Sequence, residues 1–158
     1  MAKIIEGIID FLNSIEGWAD EAAVESEPMP GLHFITIKKG DFTYTDQYGG
    51  GEPFQGLEIV WKNNHLVWMM SYRGEYKGKV DYKIFLSFLK AALRSSPKYM
   101  PIRGPKKFSE MKLPGWGYNN KWNGNMSGFK GKEEISFKNS KVYSAEYYGG
   151  LVDIKKEG

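Results

Sequence analysis

The sequence predicts an α+β fold made of two helix-plus-four-strand antiparallel units, in the order α-β4-α-β4, related by a pseudo-twofold axis. Three observations carry the prediction. The chain contains an internal repeat, each copy follows a helix-periodic segment, and short alternating runs are separated by tight polar turns.

The repeat comes first because it organises everything else. Phe54-Gln-Gly56-Leu-Glu58 matches Phe129-Lys-Gly131-Lys-Glu133 at an offset of 75 residues. At that offset Asn64 meets Asn139, Val67 meets Val142, Trp68 meets Tyr143, Tyr72 meets Tyr147 and Gly74 meets Gly149. Upstream the offset becomes 74, where Phe34 meets Phe108, Phe42 meets Trp116, Tyr44 meets Tyr118 and Asp46 meets Asn120. Tyr48 with Trp122 and Gly50 with Gly124 continue the match, so one inserted residue accounts for the change of offset. The 158 residues therefore read as a single domain, with one unit over about 3–78 and a second over about 79–154.

A helix opens each unit. Ile4, Ile5, Ile8, Leu12 and Ile15 fall on one helical face, with Gly17 as the stop. In the second unit Asp81 is placed to cap a helix whose buried stripe is Ile84, Phe85, Phe88, Leu89 and Ala92, and Ser95-Ser96-Pro97 ends it. Proline-bearing connectors, Glu27 to Gly31 and Pro97 to Pro105, then lead into the sheets. The expected strands are 32–38, 41–48, 56–62 and 65–73, then 107–112, 115–122, 131–138 and 141–149. Turns such as Lys39-Gly40-Asp41 and Lys62-Asn63-Asn64-His65 suit antiparallel hairpins.

Composition removes several chemistries. Cysteine is absent, which excludes disulfides, thiol catalysis and cysteine-ligated metal. Two histidines, His33 and His65, do not make a histidine-rich metal site, and the sequence calls for no cofactor. No run of about eighteen apolar residues is present, so a spanning helix is not expected. Glu6 and Asp10 interrupt any signal-type apolar core near the start, and a cytoplasmic location is the expectation. Charge is uneven: residues 1–79 carry 7 basic and 12 acidic side chains, residues 80–158 carry 15 and 7. Of the 22 basic residues 19 are lysine, whereas phosphate and base readers favour the arginine fork, so nucleic acid is a disfavoured partner.

Strand alternation then sorts side chains by face. Phe42, Tyr44, Asp46 and Tyr48 share one face, as do Trp116, Tyr118, Asn120 and Trp122. Trp68, Met70 and Tyr72 correspond to Tyr143, Ala145 and Tyr147. Aromatic faces of this kind fill cores, and they also line small-molecule pockets. Glu58 and Glu133 are in phase with apolar neighbours, and a buried carboxylate must find a partner, admit water or bind something. Partners are at hand in the tyrosine hydroxyls, Arg73, Arg103 and backbone N–H groups. The alternative is a pair of symmetry-related carboxylates facing a cleft between the halves, holding a cationic or hydroxyl-rich ligand beside aromatic rings. Arg103 sits in the rigid Pro101-Ile-Arg-Gly-Pro105 segment, free to lie on the surface or to pair with Glu58 or Glu133; pairing within the domain is favoured.

Other motifs carry less. Gly49-Gly50-Gly51 lacks the lysine and helix of a phosphate loop and reads as a turn. Two carboxylates could serve glycoside chemistry only at suitable separation and with unequal acidity, which equivalent positions do not provide. With no nucleophile, metal site or phosphate loop, an enzyme ranks last.

The run Phe42-Thr-Tyr-Thr-Asp46-Gln-Tyr48-Gly, then Phe54-Gln-Gly56-Leu-Glu58, then Val67-Trp68-Met-Met-Ser-Tyr72-Arg-Gly74 resembles an uncharacterised prokaryotic domain family of unknown function. Arg103-Gly104-Pro105 and Tyr147-Tyr-Gly149-Gly150 fit the resemblance, which spans about residues 10–152. Relatives are often fused to an XRE-type helix-turn-helix, which implies a sensor or interaction role and transfers no catalytic residue. No helical pair precedes Phe34 here, so direct control of transcription is not expected. A looser likeness, at the level of fold only, is to pseudo-symmetric drug-binding effector domains.

The expected function is a non-catalytic small-molecule-binding or sensor-like domain with an aromatic and acidic pocket between the halves. Its candidate ligand-binding residues are Tyr44, Glu58, Trp68, Tyr72, Arg103, Tyr118, Glu133 and Tyr143. The alternative is a protein-interaction module, a homodimer or partner of a regulator, with Tyr72-Arg73-Gly74 or Trp116 and Trp122 exposed. Nucleic-acid binding through the lysine-rich second half comes after that.

Overall fold

Tight turns and period-2 patterning build a single antiparallel sheet. The computed structural model describes residues 2–17 and 20–153. Met1 and residue 154, the outer bound of the second expected unit, lie outside the described residues. The elements in chain order are α1 (Ala2–Asn13), β1 (Val24–Met29), β2 (Leu32–Lys39), β3 (Phe42–Gly49), β4 (Phe54–Lys62) and β5 (His65–Tyr76). Then come α2 (Tyr82–Arg94), β6 (Lys107–Phe108), β7 (Trp116–Asn125), β8 (Gly128–Phe137) and β9 (Ser140–Leu151). The sheet order is β1-β2-β3-β4-β5-β9-β8-β7-β6. Two meanders, one of five strands and one of four, therefore meet edge to edge where β5 pairs with β9.

Turn residues account for the hairpins. Asn63 and Asn64 join β4 to β5 with φ of 48° and 65°, and Lys138 and Asn139 join β8 to β9 with φ of 49° and 66°. Two consecutive left-handed residues form the turn whose twist matches that of the flanking strands, and asparagine tolerates it best. Asp81 caps α2 as expected: its side chain accepts from the Lys83 N–H at 2.8 Å.

All the aromatic runs lie on one sheet face, and both helices cover that face. Phe11 of α1 stacks on Phe42 at 5.0 Å between ring centroids. On α2, Phe85 meets Tyr143 at 5.1 Å and Phe88 meets Trp116 at 5.6 Å. The core is divided accordingly. One cluster joins Ile8, Phe11 and Leu12 to Ile37, Tyr44, Val60 and Trp68; the other joins Phe85, Phe88, Leu89 and Ala92 to Trp116, Tyr118, Ile135 and Tyr143. No described helix is long and apolar enough to cross a membrane.

Three details depart from the sequence reading. The halves do not form separate sheets; their last strands pair and make one. Of the expected connector 27–31, residues 27–29 belong to β1, an exposed edge strand, and 30–31 form the turn after it. Its Val-Glu-Ser-Glu-Pro-Met sequence has no buried face to alternate against, and at an edge Pro28 disrupts little pairing. The expected strand 107–112 shrinks to Lys107–Phe108. Beyond it the backbone bonds Leu113 N–H to Glu110 O and Trp116 N–H to Leu113 O turn the chain directly into β7.

Candidate functional site

Glycine placement explains how the site is wired. In β4 Gly56 lies opposite Tyr72, and in β8 Gly131 lies opposite Tyr147. A Cβ at either glycine would overlap the facing tyrosine ring. The missing side chain lets each ring cross the neighbouring strand and reach the next one. Tyr72 then donates to Asp46 Oδ1 at 2.5 Å, and Tyr147 donates to Asn120 Oδ1 at 2.5 Å. One register step away Tyr44 donates to Glu58 Oε1, and Tyr118 donates to Glu133 Oε2 at 2.6 Å. Asp46 faces Glu58 across β3 and β4, as Asn120 faces Glu133 across β7 and β8.

The two clusters differ in what closes them. The segment from Pro101 to Pro105 runs over the second one and satisfies it. Arg103 Nη2 pairs with Glu133 Oε1, Gly104 N–H donates to Tyr118 Oη at 2.9 Å, and Asn120 Nδ2 donates to Gly104 O at 2.8 Å. Tyr143 adds a further donor to Glu133 at 2.8 Å. Glu133 is completely enclosed. Asparagine suits position 120 because it must accept from a phenol and donate to a carbonyl at once.

Over the first cluster the corresponding space is open. A cavity of about 520 Å³ lies between α1 and α2. Its floor carries Tyr44, Asp46, Tyr48, Phe54, Glu58 and Tyr72, with Tyr143 from across the β5–β9 seam. The last turn of α1, through Leu12 and Asn13, and one face of α2, through Phe85, Leu89 and Leu93, form its sides, and Arg103 stands at its border. The α1 C-terminus, Asp46 and Glu58 favour positive charge at the floor, while Arg94, Lys98 and Arg103 stand among the lining residues around it.

Electrostatics separates the two halves further. Burial pushes the Asp46 carboxyl up to about 6, against the opposing pull of the Tyr72 hydrogen bond and the Arg103 charge. Burial, then the Asp46 charge, raises Glu58 to about 7. Burial would lower the Arg103 value, but the Glu133 carboxylate beside it holds it up. Burial and adjacent carboxylates raise Tyr44 and Tyr72, so both stay neutral donors at physiological pH. The first half thus keeps two neighbouring acids whose resolved side-chain partners are neutral phenols. The second holds one acid, matched by a guanidinium.

Residues 46–152 match the family described as a domain of unknown function, DUF5680. The chain belongs to that family. The matched stretch begins at Asp46 and takes in Glu58, Tyr72, Arg103, Glu133 and Tyr143, leaving α1 and Tyr44 outside. No curated protein and no solved structure matches the chain.

Within this DUF5680 member, five of the eight candidate residues line the cavity: Tyr44, Glu58, Tyr72, Arg103 and Tyr143. Trp68, Tyr118 and Glu133 do not. Trp68 is buried and donates its indole N–H to Met126 O at 3.2 Å, while Tyr118 and Glu133 belong to the closed cluster. Of the rings named for a partner surface, Tyr72 and Trp116 are buried and Trp122 is half-buried under the Lys106 ammonium. Strand alternation places Asp46 on the same face as Tyr44. Its in-phase position beside Tyr44, and the asparagine that answers it in the repeat, were the signals that single it out. The helices as cavity sides had no such signal. Among the described residues no cluster of histidine and carboxylate side chains suits a metal ion.

Proposed function

We propose that this chain is a non-catalytic small-molecule-binding or sensor domain, formed by duplication of a helix-plus-sheet unit, in which one copy kept an open pocket. The unit of about 3–78 supplies the acidic floor of the pocket, and the unit of about 79–154, whose own cluster its chain closes, supplies α2, Arg103 and Tyr143 along the other side. Sheet register supports the duplication: β5 and β9 pair about Tyr72 and Tyr147, the two residues that the repeat equates. Both inner hairpins also shift register at matching points, Val60/Trp61 and Ile135/Ser136.

The observation that carries the binding reading is the contrast between the clusters. A buried carboxylate is costly without a compensating charge or water. The second half meets that requirement with Arg103, whereas the first leaves Asp46 and Glu58 on a cavity large enough for a small organic molecule. Aromatic floor, apolar walls and a few polar groups are the ordinary composition of such a pocket.

The test is thermal shift against a metabolite panel spanning cations, neutral polar compounds and anions. Wild type is compared with Leu89→Trp, which fills the cavity from α2. At least one compound class raises the Tm of wild type and leaves Leu89→Trp unmoved. A panel without any shift, or equal shifts in both proteins, overturns the reading.

A further inference from the structure

The closed half carries, in its own chain, a description of what the open half takes. Resting on the binding-pocket reading, we infer that the ligand is an organic cation of the guanidinium type with an apolar body, seated on Glu58 and Asp46 as Arg103 is seated on Glu133. Glu58 and Glu133 share their register, their tyrosine donor and their in-phase glycine, and differ in that Glu133 also accepts from Tyr143, whose counterpart Trp68 bonds Met126 O instead.

What reaches Glu133 is a guanidinium on an apolar stem, engaging Oε1 through Nη2, on a segment that Gly104 brings within hydrogen-bond reach of Tyr118 and Asn120. In the first half the residues that align with that segment lie in β1 and the turn after it, at the outer edge of the sheet. Glu58 therefore receives Tyr44 and no guanidinium from its own unit. The change from Asn120 to Asp46 fits a different occupant. Asn120 both donates to and accepts from its neighbours; Asp46, as a carboxylate, only accepts, so the occupant must present donors to both acids. A guanidinium does so with its fork, and carries the charge that two desolvated carboxyl groups need.

The cavity supplies the rest. Phe54 and Tyr72 line it with rings, the Tyr72 ring carrying the Arg103 guanidinium 6.0 Å from its centroid, and Leu12, Leu89 and Leu93 offer apolar walls. Arg103 acts on both acids from the cavity border but hydrogen-bonds neither, its own ion pair being with Glu133, so a neutral ligand of the same shape would add no charge to the Asp46–Glu58 pair.

The test uses benzylguanidinium and its neutral isostere benzylurea, titrated into the full chain by calorimetry at pH 7.5. Benzylguanidinium binds at least 10-fold more tightly than benzylurea. Glu58→Gln and Asp46→Asn each weaken the cation at least 10-fold and leave benzylurea within 2-fold. Both substitutions preserve shape, and a thermal melt of each variant verifies the fold; should one fail to fold, the other decides. Equal binding of the two probes, no binding of the cation, or cation binding indifferent to both substitutions overturns the inference. The pocket reading survives that outcome if neutral or anionic compounds from the panel still stabilise wild type and not Leu89→Trp.

Discussion

Asp46 and Asn120 hold the same register position and differ in one side-chain group, yet they set the acid–base behaviour of the two halves apart. Asn120 cannot titrate, whereas Asp46 and Glu58 are two acids pushed up to about 6 and about 7, chiefly by burial. Carboxyls of an unfolded chain titrate near about 4. Between those limits the folded protein keeps protons that the unfolded chain has already released. Raising pH then favours the unfolded state. The groups around the pair do not reverse this sign: Tyr44 and Tyr72 are raised and stay neutral, and Arg103 stays charged. Without ligand, stability accordingly falls as pH rises from about 4 to about 7, by up to about 1.4 kcal/mol per pH unit for each proton retained. Urea denaturation across that range checks it, and the Asp46→Asn/Glu58→Gln double variant flattens the slope. An unchanged slope in the double variant would assign the dependence elsewhere.

The connector from α2 to β6 decides which half stays open. Its passage over the second cluster depends on Gly104, where a Cβ would stand 2.6 Å from the Tyr118 ring atoms and 2.7 Å from its hydroxyl. Gly104→Ala therefore forces the segment off Tyr118 and strains the Arg103–Glu133 pair. The expected loss is about 2–3 kcal/mol, the range for an overpacked site, measured as a lower denaturation midpoint. Much of this element scale was legible. Hairpins announced themselves by period 2 and by Asn63-Asn64, α2 by its cap and stripe, and the connector's stiffness by Pro101 and Pro105. The edge strand β1 was not, because an exposed, polar strand has no buried face to leave an imprint. Nor could the sequence choose between Glu58 and Glu133 as the partner of Arg103. Both lie in the same Phe-x-Gly-x-Glu pattern, and the path of the connector in space distinguishes them. The same limit applied to the site: alternation found the face and four of the candidate residues that line the cavity, and the proline-bounded connector gave Arg103, but whether that face was filled or open depended on the connector's path and on the helices.

At the scale of the molecule the β5–β9 seam holds the site together. The cavity lies between α1 and α2, which belong to different halves, and its floor crosses from Tyr72 to Tyr143. Any slip at the seam would move one wall against the other. Two glycines flank the central Tyr72–Tyr147 pair, Gly74 opposite Ala145 and Gly149 opposite Met70. At Gly149 a Cβ would run into the Met69 carbonyl and stand 2.7 Å from the Met70 Cα, backbone atoms that cannot turn aside. Gly128, in the adjacent strand, has open space where its Cβ would go. Gly149→Ala is therefore expected to destabilise the whole chain by about 2–3 kcal/mol or more, and Gly128→Ala by less than about 0.5 kcal/mol. Because the halves share one continuous sheet, the loss registers in both together. Tryptophan fluorescence and far-UV circular dichroism should give coincident transitions in wild type and in Gly149→Ala alike. Two separated transitions in either protein would mean that each half is stable alone, and that a ligand between the helices could not stabilise both at once. With one transition, binding in the cavity raises the stability of the entire molecule by mass action, which makes the thermal shift a valid reporter for a site built from both halves.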